Sequence, residues 1–262
     1  MRHPTTALTA LLVVLLPLSS PAETPEEKGL AIVQEADRRD TGWVDATAAM
    51  KMTLRNAQGE TSDREIRLKT LEVTDDGDKS LSVFDSPKDI KGTAFLSYTH
   101  ALTPDDQWLY LPALKRVKRI ASANKSGPFM GSEFAYEDLT SQEVEKYTYK
   151  FLREEALNGR DCFVIEAFPV YENSGYTRQV VWLDKEMYQA VKIDFYDRKD
   201  ALLKTLESSE WKQYLDQFWR PGRMNMVNHQ TDKSTELLWD SYEFKTGLDD
   251  RDFDQNTLKR TR

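Results

Sequence analysis

Residues 44–54 read VDATAAMKMTL, and their period decides the architecture. Val44, Ala46, Ala48, Met50, Met52 and Leu54 fall on one side of a pleated chain, and Asp45, Thr47, Ala49, Lys51 and Thr53 on the other. Successive side chains of a strand point to opposite faces, so the stretch predicts a strand with one buried and one wet face. Sheets of that kind are antiparallel, because parallel sheets are covered on both faces and read as unbroken apolar runs. Asn56-Ala57-Gln58-Gly59 then turns the chain, and residues 64–73 return as a more polar strand.

Downstream, the same signals recur at residues 80–84, 93–98, 107–111, 147–152, 162–168, 177–183, 188–196, 202–207, 224–227 and 236–244. Short turns such as Asn158-Gly159 and Asp184-Lys185-Glu186 join several of them as hairpins. No stretch alternates strands with long helices, which excludes a parallel α/β sheet. Asp75-Asp76-Gly77-Asp78 lacks the glutamate that a calcium loop needs further on, and reads as a solvated turn. Upstream, Thr24-Pro25-Glu26-Glu27 is a capping box, with proline at the first helical position. Leu30, Val33 and Ala36, widened by Ala31 and Ile32, give that helix an apolar stripe, and Asp40-Thr41-Gly42 ends it. The expected fold is mainly β (α+β): about eleven antiparallel strands in a large curved sheet or incomplete barrel, wrapped on one helix.

The chain has 262 residues, a net charge of −8, and 11 Phe, 11 Tyr and 6 Trp. So many aromatics exclude disorder, and an acidic balance argues against a general nucleic-acid binder. The long apolar run lies at residues 7–18, followed by Ser20-Pro21-Ala22. This is the pattern of an export signal cleaved after Ala22, leaving residues 23–262 as the exported mature chain. No cysteine follows the run, so a lipobox anchor is not expected. Cys162 is the lone cysteine and sits in the apolar run Cys162-Phe163-Val164-Ile165, which predicts a buried structural thiol.

Residues 121–140, ASANKSGPFMGSEFAYEDLT, break the strand pattern. The segment is too long for a hairpin turn, and its Phe129, Met130, Phe134 and Tyr136 must cover a core, a partner or a ligand. No catalytic constellation accompanies it. His100 and His229 have no second ligand at metal spacing, and Gly131-Ser132-Glu133 is not a nucleophile elbow. Glu137-Asp138 reads first as a cap or surface pair, although two adjacent carboxylates can serve acid–base chemistry. Lys115, Arg116, Lys118 and Arg119 place four cations within five residues. They fit either a solvated hairpin with Val117 pointing inward, or a docking patch for an acidic partner or anionic headgroups. Ala46 and Ala48 leave room beside the adaptable Met50 and Met52, as an ordinary core or a hydrocarbon cavity would need.

At LYLPALKRVKRI (residues 109–120) and GPFMGSEFAYEDL (residues 127–139) the sequence resembles the LolA-like outer-membrane lipoprotein-sorting proteins. It is most similar to the larger branch found alongside RND/MMPL-type transporters. The resemblance implies an unclosed antiparallel barrel with a helical or loop lid, holding acyl chains without catalysis or cofactor. On that reading Met50, Met52, Phe95 and Trp182 line the half-barrel, and Phe129, Met130, Phe134 and Tyr136 close over it. Lys115, Arg116, Lys118 and Arg119 meet headgroups or the periplasmic part of an RND/MMPL-type transporter. The cargo is a lipid, a lipoprotein acyl chain or another hydrophobic molecule, passed from the inner membrane towards the outer. The alternatives are a non-enzymatic adaptor of an envelope export complex, and a periplasmic hydrolase using Glu137 and Asp138.

Overall fold

The computed structural model describes residues 22–74, 76–256 and 258–260; residues 1–21 of the expected leader lie outside them. Thr24 caps helix α1 (Pro25–Asp40) reciprocally: its Oγ1 accepts from the Glu27 amide at 3.1 Å, and the Glu27 carboxylate accepts from the Thr24 amide at 2.8 Å. Strands β1 (Asp45–Arg55), β2 (Thr61–Leu71), β3 (Lys79–Ser86), β4 (Ala94–Tyr98), β5 (Asp106–Leu111) and β6 (Arg116–Ile120) follow as an antiparallel meander. After residues 121–146 come β7 (Tyr147–Leu157), β8 (Arg160–Pro169), β9 (Tyr176–Asp184), β10 (Ala190–Asp197) and β11 (Leu202–Ser209). A small hairpin, β12 (Lys212–Tyr214) with β13 (Phe218–Arg220), precedes β14 (Arg223–Asn228) and β15 (Lys233–Phe244).

Thirteen strands form one sheet in the order β6-β5-β4-β3-β2-β1-β15-β14-β11-β10-β9-β8-β7. It does not close. Its two edges, β6 and β7, are neighbours in sequence at opposite ends of the sheet, so residues 121–146 must cross from one edge to the other. The architecture is the expected mainly β, unclosed antiparallel one, but with fifteen strands among the described residues rather than about eleven. β6 escapes the periodicity because three of its five residues are cations, and β12 and β13 are three residues each, too short to show a period. β7 runs on to Leu157 through Arg153, Glu154 and Glu155, polar residues that an edge strand can carry.

Alternation along the strands sorts the apolar residues onto two faces. The inner face carries the main core, including Met50, Met52, Ile66, Phe84, Phe95, Val181, Phe195, Met226 and Leu237. Burying each such side chain contributes about 1.5–3 kcal/mol. On the outer face, Phe253 and Leu258 of the C-terminal segment cover Leu81, Val83, Ala94 and Leu96. At the other end of the outer face Trp211 and Trp219 pack near Cys162, Val164 and Trp182. Cys162 is fully buried, and burial raises its thiol pKa.

Two local readings need correction. The buried residues of α1 are Gly29 and Ile32, whereas Leu30 is 39% exposed and Ala31 also faces out. The stripe turns because a Cβ on Gly29 would stand 2.8 Å from the Phe151 amide nitrogen, so only glycine lets the helix lie this close to β7. Ile32 then packs with Ile165 and Leu183. At the start of β1, Val44 is exposed and Asp45 buried, the reverse of the alternation. Val44 takes a left-handed φ of 73°, which resets the pleat. The Asp45 carboxylate is satisfied there by the Thr246 amide at 2.7 Å and the Thr246 hydroxyl at 2.6 Å.

Candidate functional site

The crossing segment is a lid folded from 3₁₀ turns at Ser122–Asn124, Phe129–Gly131, Tyr136–Leu139 and Val144–Lys146. Met130 (φ 50°) and Gly131 (φ 80°) are both left-handed, which tightens the bend enough for the Phe129 amide to donate to the Phe134 carbonyl at 2.7 Å. Both phenylalanines then enter the core. The Phe129 ring lies 5.2 Å from Phe95, 5.9 Å from Phe84 and 5.6 Å from Tyr136, centroid to centroid.

Polar latches fix the lid's flanks. Asp138 pairs with Lys204 at 2.6 Å, with both side chains buried, and also accepts from the Tyr176 hydroxyl at 2.7 Å. Lys204 donates in addition to the Glu133 carbonyl at 2.9 Å. Glu137 accepts from the Gly175 amide at 2.8 Å, the Ser174 hydroxyl at 2.9 Å and the Tyr171 hydroxyl at 3.1 Å; burial raises its pKa against these bonds. Arg64 donates to the Met130 carbonyl at 2.6 Å. The two adjacent carboxyls that could suggest acid–base chemistry are therefore both engaged in holding the lid. Among the described residues no group of three or more His, Cys, Asp or Glu side chains could hold a metal ion.

Between the lid and the sheet lies a cavity of about 320 Å³. That is the lower end of the range for small-molecule sites. Ala46, Ala48 and Met50 of β1, Leu68 of β2, Phe95 of β4 and Leu237 of β15 form its wall, and Phe129, Phe134 and Leu139 of the lid close it. Trp43, Trp239, Tyr242 and Phe244 add aromatic surface on the β15 side. On the β3 side stand Asp78, Ser80, Ser82, Thr99 and Ser141. Burial, with Glu143, Glu72 and Asp40 nearby, raises the Asp78 carboxyl to a pKa of about 7.

Of the residues singled out from sequence, Met50, Phe95, Phe129 and Phe134 meet at this cavity. Met52 is fully buried in the same core, while Met130 and Tyr136 pack against it, half-buried. Trp182 goes elsewhere. It pairs across β8 with Val164 on the outer face, its Nε1 donates to Glu155 at 3.2 Å, and Lys192 lies 4.1 Å over its ring. Its neighbour Val181 takes the inner face instead. This is the one-residue parity that sequence leaves open for a strand buried on both faces. Lys115, Arg116, Lys118 and Arg119 are exposed on and beside the edge strand β6; Arg119 pairs with Asp106, and Val117 turns into the outer core. His100 is held by Asp76 at 2.8 Å.

Sequence reasoning missed Trp43, Arg220, Trp239 and Tyr242. The period of Thr235, Leu237 and Trp239 on β15 was a usable signal, since Thr235 and Leu237 are buried. Arg220 lies on a strand too short to read.

A family model described only as "Uncharacterized protein" matches residues 76–260. The crystal structure of a domain described as an outer membrane lipoprotein-sorting protein, from Vibrio parahaemolyticus, is 61% identical. It covers 90% of this chain and 100% of its own, with a TM-score of 0.88. A DUF1329 family protein from Desulfovibrio piger is 29% identical over 90% of this chain and 99% of its own, with a TM-score of 0.85. A LolA superfamily protein from Nitrosomonas europaea shares the fold at 18% identity, covering 87% of this chain and 98% of its own, with a TM-score of 0.69. No curated protein matches the chain.

Proposed function

Given that this chain belongs to the LolA-like outer-membrane lipoprotein-sorting family, we propose that it is a periplasmic carrier of an acyl chain. The cargo is a lipid, a lipidated protein or a similar hydrophobic molecule, taken from an inner-membrane transporter of RND/MMPL type and moved towards the outer membrane. One observation carries the reading: a cavity walled by Met50, Phe95, Phe129 and Phe134, roofed by a segment that runs from one free edge of the sheet to the other. Each methylene withdrawn from water there contributes about 0.8 kcal/mol, so a single chain held along the cavity is retained without covalent chemistry. No described helix is long and apolar enough to cross a membrane. The exposed cations Lys115, Arg116 and Lys118 supply a surface for headgroups or for the transporter.

Native mass spectrometry with lipid extraction, on protein purified from its own periplasm, tests this. A co-purifying lipid that disappears in Met50→Asp and Phe134→Asp variants supports the carrier and identifies the cargo class. An empty protein that also rejects added lipids sinks the carrier in favour of an adaptor that docks through its basic edge.

A further inference from the structure

Trp239 stands on β15 opposite Met50 of β1, and its ring lines the cavity. The ring stacks on Tyr242 with centroids 5.0 Å apart. Its indole Nε1 is buried and, alone among the buried side-chain nitrogens and oxygens of the described residues, has no hydrogen-bond partner. Native proteins pair such groups almost without exception, because an unmade buried donor is a standing penalty. Tryptophan nitrogen can only donate, so what is missing is an acceptor. Tyr242, stacked on the ring, turns its hydroxyl to the Pro221 carbonyl at 3.3 Å, and Met50, Leu237 and Phe244 complete the wall on that side.

Arg220 lines the cavity as well. Its Nη1 makes the bonds to Asp40 (2.6 Å) and to the Trp219 carbonyl (2.9 Å), and among the described residues Nε and Nη2 are left to donate. The Asp78 carboxyl and the hydroxyls of Ser80, Ser82, Thr99 and Ser141 stand on the β3 side, and the indole N–H of Trp239 and the Arg220 guanidinium border the cavity on the β15 side.

We propose that the β15 side of the cavity is a polar subsite in which the Trp239 indole N–H, with Arg220 beside it, receives an acyl carbonyl oxygen. The inference rests on the carrier reading and sharpens it: the cavity selects ester or carboxylate-bearing chains over plain hydrocarbon, and holds them with the carbonyl towards β15 and the tail towards Phe95 and Phe129.

Methyl dodecanoate and n-tetradecane, titrated against a bound apolar fluorophore in the full chain, separate the two readings. The wild type is expected to prefer the ester about tenfold, the worth of one buried hydrogen bond. Trp239→Phe keeps an aromatic ring without the donor; within that variant the ratio of ester to hydrocarbon affinity should fall to about one. On ¹⁵N-labelled wild-type protein, which needs no folded variant, one of the six indole N–H resonances should move downfield with the ester and stay in place with the hydrocarbon. Sodium dodecanoate distinguishes the source: tighter binding than the ester assigns the carboxylate to Arg220, and equal binding assigns a neutral acyl carbonyl to Trp239. Equal affinity for ester and hydrocarbon, or a preference that survives in Trp239→Phe, overturns the subsite and leaves the carrier standing. Failure of every ligand to displace the fluorophore overturns both.

Discussion

Asp78 stands where the acidic turn meets the cavity wall. Its Oδ1 accepts from the Val73 amide at 3.2 Å, too little to offset burial and the neighbouring carboxylates, so its pKa rises from 3.8 to about 7. The consequence for stability has a definite sign. Between these values the unfolded chain has released the proton and the folded chain still holds it, so stability is full below about pH 4 and falls until about pH 7. Asp78→Asn keeps the acceptor and removes the titration. It should match the wild type near pH 4 and exceed it by about 1–3 kcal/mol at pH 8, or several degrees in Tm. Thermal melts from pH 4 to pH 8 check this; a wild-type Tm that rises across the range would refute it. The turn itself was legible as a turn, but its burial was not. Gly77 is what carries it inward, since a Cβ there would stand 2.6 Å from the Thr99 side chain. Nothing in a run of aspartates and a glycine says what lies above them.

At the scale of single elements, most boundaries could be read from the sequence, because each depends on neighbours within a few residues. The capping box fixes the start of α1, and period-two alternation fixes β1 nearly to the residue. The lid was legible as a lid, since large apolar residues among glycines must cover something. Its latch was not, because Lys204 meets Asp138 from 66 positions away. A buried pair of this kind is costly to break from one side: Lys204→Met leaves the Asp138 charge without its cation and should cost about 3–5 kcal/mol. Adding Asp138→Asn to Lys204→Met removes the stranded charge, so the double variant should be more stable than Lys204→Met alone. Urea titrations of the wild type and both variants measure it. A double variant as unstable as the single one would show that the lid is held by its phenylalanines alone.

The whole molecule is governed by its two unclosed edges, which no local pattern reveals because they depend on the order of all thirteen strands. Each edge is protected differently. α1 packs against β7 through Gly29, close enough that no side chain fits between them. β6 carries the exposed Arg116, Lys118 and Arg119 along it, and strand edges carrying like charges repel further strands. The basic run thus has a structural reason to exist before any partner is invoked, and the docking role proposed for it has to be separable from that one. Arg116→Thr with Lys118→Thr keeps β-propensity while removing the two cations of β6 that make no ion pair among the described residues. If edge protection is their task, the variant should self-associate in sedimentation at concentrations where the wild type does not, with an unchanged circular dichroism spectrum. If headgroup attraction is also their task, binding to vesicles containing anionic lipid should weaken by about 2 kcal/mol, near 1 kcal/mol per cation, and the loss should shrink as salt is raised. A variant that stays dispersed and binds such vesicles as the wild type does would leave Arg116 and Lys118 with neither role.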